Sequence, residues 1–321
     1  MPVLRRLGEQ TGPAAPGDAA GPALERIIGF TFDDPGVPPG DDELTAFVDH
    51  MESIHGRFAD LTWLTGGTMV SYHDMVRTVV DTLGPALVDV DLVVTVEASQ
   101  DCRHQSFPGS LLCELLPGDP LMMGISEQGV AGPFTALRIA HDQVADGGAR
   151  RALVVAMEQN TLPPDDAAVR PGRNLAVAML VGPDGTMPLG RPRVARTAAP
   201  AAAGSTPPRG DVLVAGAALA APPGRATVVR APAGHPCLGV WLTLASLLEQ
   251  GLAAGSRVVV ADEDPVLPYR CEVVLTLPAA PHPDTATRPG RTRGSIARVG
   301  APHPDPAAVP VRPHRRKELA R

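Results

Sequence analysis

The 321-residue sequence predicts an α/β fold in which mixed or parallel sheets are covered by helices. The main observation is a repeated unit of helix, glycine-containing turn and β-branched strand. This unit occurs at residues 141–159 (HDQVADGGARRALVVAMEQ) and again at 245–264 (ASLLEQGLAAGSRVVVADED). Two Asp-led strands, at 89–99 and 209–219, form a second similar pair. Because both pairs lie about a hundred residues apart, they indicate two related halves.

The spacing of apolar residues places the individual elements. An apolar run at Ile27–Phe32 stops at Asp-Asp-Pro-Gly and predicts a strand that enters a turn. Apolar residues at helical spacing predict a helix over Tyr72–Leu83, which Gly84 and Pro85 end. Further helices are predicted at 41–55, Val130–Ala145 and Leu238–Gln250, and further strands at Val90–Val96, Ala152–Met157, Val212–Ala215 and Val258–Ala261.

Composition divides the chain into four regions. We predict a flexible N-terminal segment at 1–22, a first half at 23–185, a shortened second half at 186–278 and a disordered tail at 279–321. Pro, Ala and Gly enrich residues 183–210 and 220–234, which are expected to be connectors. Aromatic residues are only 3% of the chain, so the core must be built mostly from Ala, Val and Leu.

Charge and cysteine content exclude several classes of protein. Residues 279–321 carry nine Arg or Lys against three acids, yet the net charge is −7, so the remaining chain is acidic and unsuited to nucleic acid. The most apolar window, Pro236–Leu248, has 13 residues, fewer than the roughly 20 of a membrane span. The four cysteines, at 102, 113, 237 and 271, show neither CxxC spacing nor a zinc motif. We therefore expect a soluble cytoplasmic protein without a metal.

A turn of small residues at 124–132 leads directly into the predicted helix Val130–Ala145. A residue at this turn would lie near the N-terminus of the helix, where unpaired N–H groups and the macrodipole favour an anion. Such a position suits a thiolate nucleophile, because the pKa of a thiol falls there.

Two stretches resemble the ketoacyl-ACP synthase III branch of the thiolase-fold superfamily. Residues 89–159 contain the Asp-led strand, a Phe-Pro-Gly sequence before the next helix, a Gly-x-x-Gly nucleophile turn and a strand of the form Leu-Val-Val-x-x-Glu. Residues 234–264 resemble the late Gly-Asn loop of that family, with its following helix and strand. The resemblance implies a five-layered αβαβα arrangement of two related halves, and a dimer whose contacts come from residues 89–159.

The sequence departs from this family at each catalytic position. Family members place cysteine in a Gly-Cys-small-Gly turn, whereas Gly129-Val-Ala-Gly places Val130 there. A His-Gln-Ala-Asn-like motif should follow Val212–Ala215, but Gly216–Pro223 offers no proton-transferring side chain. The asparagine of the Gly-Asn loop falls on His235. Only about 28 residues separate the strands ending near residue 182 and beginning near residue 211, which shortens the second half.

These departures predict a degenerate subunit with no catalytic residue. The resemblance places an acyl or pantetheine pocket at Gln128, Gly129, Val130 and His235, where Gln128 could hydrogen-bond an acyl carbonyl. No cofactor is expected beyond acyl-CoA or a phosphopantetheine-linked acyl group as ligand. The expected partner is a cysteine-bearing ketosynthase or a second copy of this chain, with an acyl carrier protein as a further candidate.

Other interpretations remain open at this stage. His235 with Cys237, or His235 alone as a base, could support an atypical acyltransferase or condensing enzyme, and Ser126 is a weaker candidate nucleophile. A homodimeric module that binds an acyl or pantetheine group without chemistry is a third possibility. Interface roles are predicted for Cys102, His104 and Phe107, a core position for Cys113, and solvated turns for the carboxylates of Asp165, Asp166 and Asp262–Asp264.

Overall fold

The structure is a computed structural model that describes residues 21–37, 40–58, 60–103, 107–162, 171–196, 212–220, 227–278 and 295–299. Its strands are β1 Ala23–Phe32, β2 Leu92–Glu97, β3 Leu121–Ser126, β4 Ala152–Glu158, β5 Asn174–Gly182, β6 Met187–Pro188, β7 Arg193–Arg196, β8 Val212–Ala215, β9 Thr227–Arg230, β10 Arg257–Glu263, β11 Tyr269–Thr276 and β12 Ser295–Val299. Its α-helices are α1 Asp41–His55, α2 Thr62–Gly66, α3 Tyr72–Leu83, α4 Pro108–Leu115, α5 Ala131–Ala145 and α6 Gly239–Gln250.

The strands form two sheets with the same internal topology. The first runs β12-β1-β5-β4-β2-β3, with β6 beside β1, and the second runs β7-β11-β10-β8-β9. In the first sheet, β2 is parallel to β3 and β4, while β5 is antiparallel to β4 and β1. In the second, β8 is parallel to β9 and β10, while β11 is antiparallel to β10 and β7. The identical pattern confirms the predicted pair of related halves.

Helices α5 and α6 lie between the two sheets. Helix α5 contacts β2 and β4 on one side and β7 and β11 on the other, and α6 lies between β1 and the pair β8 and β10. A single apolar core therefore spans both halves. Within it, the ring of Phe134 on α5 packs against that of Trp241 on α6, and the two ring centroids are 4.7 Å apart. Apart from this pair, the core is largely Ala, Val and Leu, as the composition predicts.

The outer face of the first sheet is covered by α3 and α4, which bury a second apolar cluster against it. Helix α3 begins at a capping box in which Ser71 and Asp74 exchange side-chain and backbone hydrogen bonds. Within the described part of the second half, α6 is the only helix. The shortened second half that the sequence predicts is confirmed, with four of the five expected layers among the described residues.

Several short strands differ from the predictions. Strands β7 and β9 form the two edges of the second sheet inside segments expected to be connectors. Strand β12 lies in the segment expected to be disordered and pairs in parallel with β1. Strands of four or five residues are too short to show a clear alternation, so composition gives little sign of them. Among the helices described, none has the length and apolar character needed to cross a bilayer.

Candidate functional site

The predicted nucleophile turn connects β3 to α5. Glu127 and Gly129 both have positive φ, at 55° and 51°, and Val130 directly precedes the first residue of α5. A Cβ atom at position 129 would overlap Oδ2 of Asp264, so the turn requires glycine there for space as well as for conformation. Val130 is 2% exposed and contributes to the wall of a small cavity. The turn therefore forms where the sequence predicts it, with an aliphatic side chain at the position where the resemblance expects a nucleophile.

The carboxylate of Asp264 occupies the N-terminus of α5. Its Oδ2 accepts a hydrogen bond from the backbone N–H of Val130 at 3.0 Å. Its Oδ1 accepts from the N–H groups of Val266 at 2.9 Å and Leu267 at 2.7 Å. An anion at a helix N-terminus is stabilised by the free N–H groups and the macrodipole. The donor that could hold an acyl oxygen beside Val130 is thus already bonded within the chain.

A second carboxyl group fills the place where the resemblance expects a catalytic side chain. Gly216 directly follows β8, and a Cβ atom added there would overlap the carboxyl of Asp262. Asp262 is 5% exposed, and burial raises its pKa to about 7, with repulsion from Asp264 and Glu263 acting in the same direction. No side chain can extend from position 216 while Asp262 keeps this position.

His235 and Val130 line the same cavity, whose volume is about 140 Å³. The walls are otherwise mostly small or apolar, and the carboxyls of Asp262 and Glu263 also border the cavity. The imidazole is 17% exposed, with Nδ1 lying 3.9 Å from Oε2 of Glu158. Burial and the charge of Arg173 lower the pKa of His235, so the ring is neutral near pH 7.

Glu158 ends β4 inside the protein and joins the two halves. Its Oε1 accepts a hydrogen bond from the backbone N–H of Cys237 at 2.7 Å, and Leu238, the residue before α6, donates a second one to the carboxylate. Burial nevertheless raises the pKa of Glu158 to about 8, and the charge of Asp262 adds to this effect. Neither Oε2 of Glu158 nor Nδ1 of His235 has a hydrogen-bond partner among the described residues. Near pH 7 the two groups are therefore a neutral acid beside a neutral base.

The remaining predicted site residues differ in burial. Cys237 is 2% exposed, and burial, together with the carboxyls of Glu158, Asp262 and Asp264, raises the pKa of its thiol well above the usual value. A thiol in this setting is not activated as a nucleophile. Gln128 and Ser126 are both exposed, and neither is among the described residues that line the His235 cavity.

The predicted interface residues also differ from one another. Phe107 is 68% exposed, as an interface role requires. Cys102 is wholly buried against Phe47, Met51 and Trp63, so its side chain is not exposed on this chain, and an interface role for it stays a prediction. The chain turns inward here because the backbone N–H of Cys102 donates to the buried Gln159. His104 lies outside the described residues, as do Asp165 and Asp166. Cys113 is only partly buried, on α4.

Sequence reasoning missed the three acids that shape the site. Asp262 and Asp264 were expected to be solvated, but they are drawn inward because the β10–β11 turn packs on the N-terminus of α5. No role was predicted for Glu158, the last residue of β4. The signal in the sequence is only that each lies at or just after the end of an apolar strand pattern, a position that solvated turn acids share. Among the residues described, no cluster of His, Cys, Asp and Glu is arranged to hold a metal ion.

Comparison with known proteins supports the fold. No protein-family profile matches the sequence, and no curated protein matches it. Similar solved structures include ChlB3, described as an acyltransferase, with a TM-score of 0.54 at 18% identity over 81% of this chain and 99% of that one. The priming β-ketosynthase of the R1128 polyketide pathway has a TM-score of 0.54 at 18% identity, covering 84% of this chain and all of that one.

A third similar structure is the 3-oxoacyl-(acyl carrier protein) synthase III of Xanthomonas oryzae, with a TM-score of 0.51 at 15% identity, covering 80% of this chain and 98% of that one. Each of these proteins is covered almost completely, so the similarity extends over both halves and the helices between them. The chain has the thiolase-like fold of the ketosynthase III-type proteins.

Proposed function

We propose that this chain is a non-condensing, ketosynthase III-like subunit that assists a cysteine-bearing synthase in a polyketide or fatty-acyl pathway. The observation that carries the proposal is the pairing of Val130 with Asp264. The side chain at the nucleophile position cannot form a thioester, and the backbone N–H beside it is bonded to a carboxylate of the same chain. A chain-length-determining or scaffolding role requires neither group.

Condensation needs a nucleophile for the acyl group and polar donors for the oxygen that becomes negative. Here the thiol of Cys237, the candidate that the sequence offers, is buried and neutral. The space beside Gly216 is filled by the carboxyl of Asp262, which would repel a developing oxyanion when ionised. Of the catalytic groups that the family resemblance implies, only an imidazole, that of His235, has a counterpart at the cavity.

An open sheet edge supports the partner in this proposal. Among the strands that the structure describes, β3 is the last of the first sheet, and its Leu121, Met122 and Met123 are 61%, 40% and 39% exposed. Gly109 packs on the side chain of Met122, which places the exposed Phe107 at the start of α4 near the same edge. An exposed apolar edge strand that carries no protecting charges is a template for pairing with a strand of another chain. We assign the cover to the corresponding strand of a cysteine-bearing ketosynthase, with a second copy of this chain as the competing outcome.

The small cavity between Val130 and His235 gives this subunit a place for an acyl or pantetheine-linked group without chemistry. Its walls would limit the length of chain that enters from the partner's side. An acyl carrier protein would deliver such a group. We also place the pair in the cytoplasm, where the four free cysteines would stay reduced.

The direct test is co-expression with the cysteine-bearing ketosynthase of its pathway. We expect a heterodimer by mass in solution, and a change in product chain length when this chain is present. Met122→Glu should abolish the heterodimer because it places a charge on the β3 edge. Val228→Glu, at a similarly exposed apolar residue on β9, is the matched control and should leave assembly intact. A lone monomer that leaves the synthase unchanged would contradict the proposal.

A second candidate is an acyltransferase that uses His235 as a general base. The neutral imidazole at the cavity favours it, since a base must be unprotonated to accept a proton. ChlB3, which has a similar structure, is described as an acyltransferase. Incubation with acyl-CoA and amine or alcohol acceptors, with and without His235→Ala, tests this candidate. Transfer that disappears in the variant would replace the first proposal, and a covalent adduct that disappears in Cys237→Ala would assign the acyl group to that thiol.

A further inference from the structure

The two oxygens of Glu158 lie in different surroundings. Oε1 accepts a hydrogen bond from the backbone N–H of Cys237 at 2.7 Å, and Leu238 adds a second backbone donor to the carboxyl group. Oε2 lies 3.9 Å from Nδ1 of His235. Both of these atoms are buried, and neither has a hydrogen-bond partner among the described residues. Two unsatisfied polar atoms, one from each half of the chain, therefore face each other.

The proton of the neutral acid lies on Oε2. Glu158 is completely buried, and among the described residues no Lys or Arg forms an ion pair with it. A buried carboxyl group without a cation stays protonated, and here the pKa is raised to about 8. Since Oε1 accepts the backbone N–H, it acts as the carbonyl oxygen of the acid, and Oε2 carries the hydroxyl hydrogen. Oε2 is thus a buried donor that needs an acceptor.

His235 supplies that acceptor. A neutral imidazole has one nitrogen with a proton and one without, and the neighbouring groups decide which is which. The pKa of His235 is lowered by burial and by the charge of Arg173, so the ring is neutral near pH 7. A separation of 3.9 Å is closed by a small rotation of the ring or by one bridging water molecule. In both arrangements Nδ1 accepts the hydrogen bond, which leaves the proton of the ring on Nε2.

We propose that Glu158 is a positioning residue that holds His235 with its proton on Nε2, so that Nε2 donates a hydrogen bond into the small cavity. The ring lines this cavity and is 17% exposed while Nδ1 is buried, so the opposite edge of the ring faces the cavity. Among the described residues that line it, His235 alone carries a side-chain nitrogen. The group recognised is a neutral carbonyl oxygen, as in an amide or a thioester. That ligand class rests on the proposed function, which places an acyl or pantetheine-linked group here.

Ionisation of Glu158 reverses the arrangement. A carboxylate can only accept, so once Oε2 has released its proton to the solvent, the ring proton moves from Nε2 to Nδ1 and Nε2 becomes an acceptor. An imidazole that serves as a general base at the cavity therefore requires ionised Glu158. The other ionisable groups around the pair are Cys237, Arg173, Asp262, Glu263 and Asp264. Of these, Asp262 titrates in the same range, since its pKa is about 7.

Nuclear magnetic resonance of the full chain tests the position of the proton, because protonated and unprotonated imidazole nitrogens resonate far apart. At pH 7 we expect the His235 signals, assigned by their loss in His235→Ala, to show the proton on Nε2. The proton should move to Nδ1 as the pH rises above about 8. His141 is an internal reference for the opposite form, since its Nδ1 lies 3.0 Å from Oδ1 of Asp142, whose pKa is lowered to about 2. A proton on Nδ1 of His235 at pH 7 would overturn the proposal.

Glu158→Gln separates positioning from the filling of space. The amide oxygen of glutamine can accept the backbone N–H of Cys237 while its NH2 group donates to Nδ1, but this side chain cannot ionise. We expect the variant to keep the proton of His235 on Nε2 from pH 7 to about pH 9. Glu114→Gln, at an exposed acid on α4, is the control and should follow the natural chain. If Glu158→Gln lost the Nε2 proton with rising pH as the natural chain does, Glu158 would not be the group that positions the ring.

N,N-dimethylacetamide, which has a carbonyl oxygen and no N–H group, tests the ligand class. Titration at pH 7 should shift the Nε2 signal of His235 to a saturating value. Between pH 7 and about pH 9 the natural chain should lose at least fivefold more affinity than Glu158→Gln, since both keep Asp262 and only the natural chain loses the donor. An unmoved Nε2 signal, or equal losses in the two proteins, would overturn the assignment of a carbonyl ligand.

The outcome is separable from that of the proposed function. A lone monomer with the proton on Nε2 would contradict the partner role alone. A heterodimer with the proton on Nδ1 at pH 7 would contradict this inference alone.

Discussion

The carboxylate of Asp264 lies 3.0 Å from the backbone nitrogen of Val130 and accepts a hydrogen bond from it at the N-terminus of α5. The departure from the ketosynthase III pattern at this turn therefore involves the surroundings of residue 130 as well as its side chain. The space beside Gly129, the backbone N–H of Val130 and the N-terminus of α5 all accommodate a carboxylate from the second half of the same chain. Restoring a nucleophile alone should leave the site unreactive.

We predict that Val130→Cys does not become an acyl acceptor. The neighbouring carboxylate of Asp264 would hold the pKa of the new thiol high, and the N–H beside it would still be occupied. Intact-mass measurement after incubation with acyl-CoA should show at least tenfold slower labelling than in Val130→Cys/Asp264→Ala. The control is Val130→Cys/Asp81→Ala, which removes an exposed acid on α3 and should behave like the single variant. Equal labelling of the single and double variants would contradict the assigned role of Asp264.

We predict that Asp264→Ala lowers the free energy of unfolding by about 2 kcal/mol. The change removes an acceptor for three backbone N–H groups, one of them at a helix N-terminus, and such caps contribute about 0.5–2 kcal/mol. Urea unfolding followed by circular dichroism measures the loss. Asp81→Ala should stay within about 0.5 kcal/mol of the natural chain, as surface changes usually do.

We predict that Gly216→Ala destabilises the protein by about 1–3 kcal/mol, the usual cost of overpacking. The added methyl would overlap the carboxyl of Asp262. Asp262→Ala in the same chain should recover part of the loss, with a coupling of about 1 kcal/mol or more in a double-mutant cycle. Gly66→Ala is the matched control, because a Cβ atom there meets nothing within 4 Å. Strict additivity of the two changes would show that residues 216 and 262 do not compete for space.

We predict that stability falls as the pH rises from about 4.5 to about 8. The pKa of Glu158 is raised from 4.5 to about 8 and that of Asp262 from 3.8 to about 7, so the folded protein binds more protons than the unfolded chain in this range. The neutral forms of these two groups stabilise the fold fully at pH values below the pKa values of the unfolded state. This stabilisation is lost as the pH rises past the pKa values of the folded state. Thermal unfolding from pH 4.5 to 8.5 should show a falling Tm. Glu158→Gln, which cannot ionise, should flatten this dependence, and an unchanged slope would argue against the raised pKa.

The sequence predicts the main elements because their apolar spacing is regular. The predicted helix Tyr72–Leu83 matches α3, and the predicted helix at Val130 differs from α5 by one residue. The predicted strand Val90–Val96 is displaced by one or two residues from β2. The grouping of Val130 with His235 at one cavity also follows from the resemblance, because each belongs to a matched stretch.

The burial and bonding of the carboxyl groups could not be predicted from apolar spacing. Nothing in the local sequence distinguishes the buried Asp262 and bonded Asp264 from solvated turn acids. Their setting depends on how the second sheet packs on α5, a contact between residues more than a hundred positions apart. The burial of Cys102 has the same origin, since the groups that enclose it come from α1, α2 and Gln159. Side chains that meet only in the folded core cannot be paired from composition or spacing.

The two acids at the strand ends are exchanged between the halves. Glu158, from the first half, holds the backbone at the start of α6, and Asp264, from the second, holds the start of α5. Each half therefore supplies a carboxyl group that accepts hydrogen bonds from the backbone at the start of a helix in the other half. If the chain were cut between β7 and β8, one fragment would carry Glu158 without α6 and the other would carry Asp264 without α5. In each fragment the remaining helix, α5 or α6, would lack the carboxyl group that binds its N-terminal backbone.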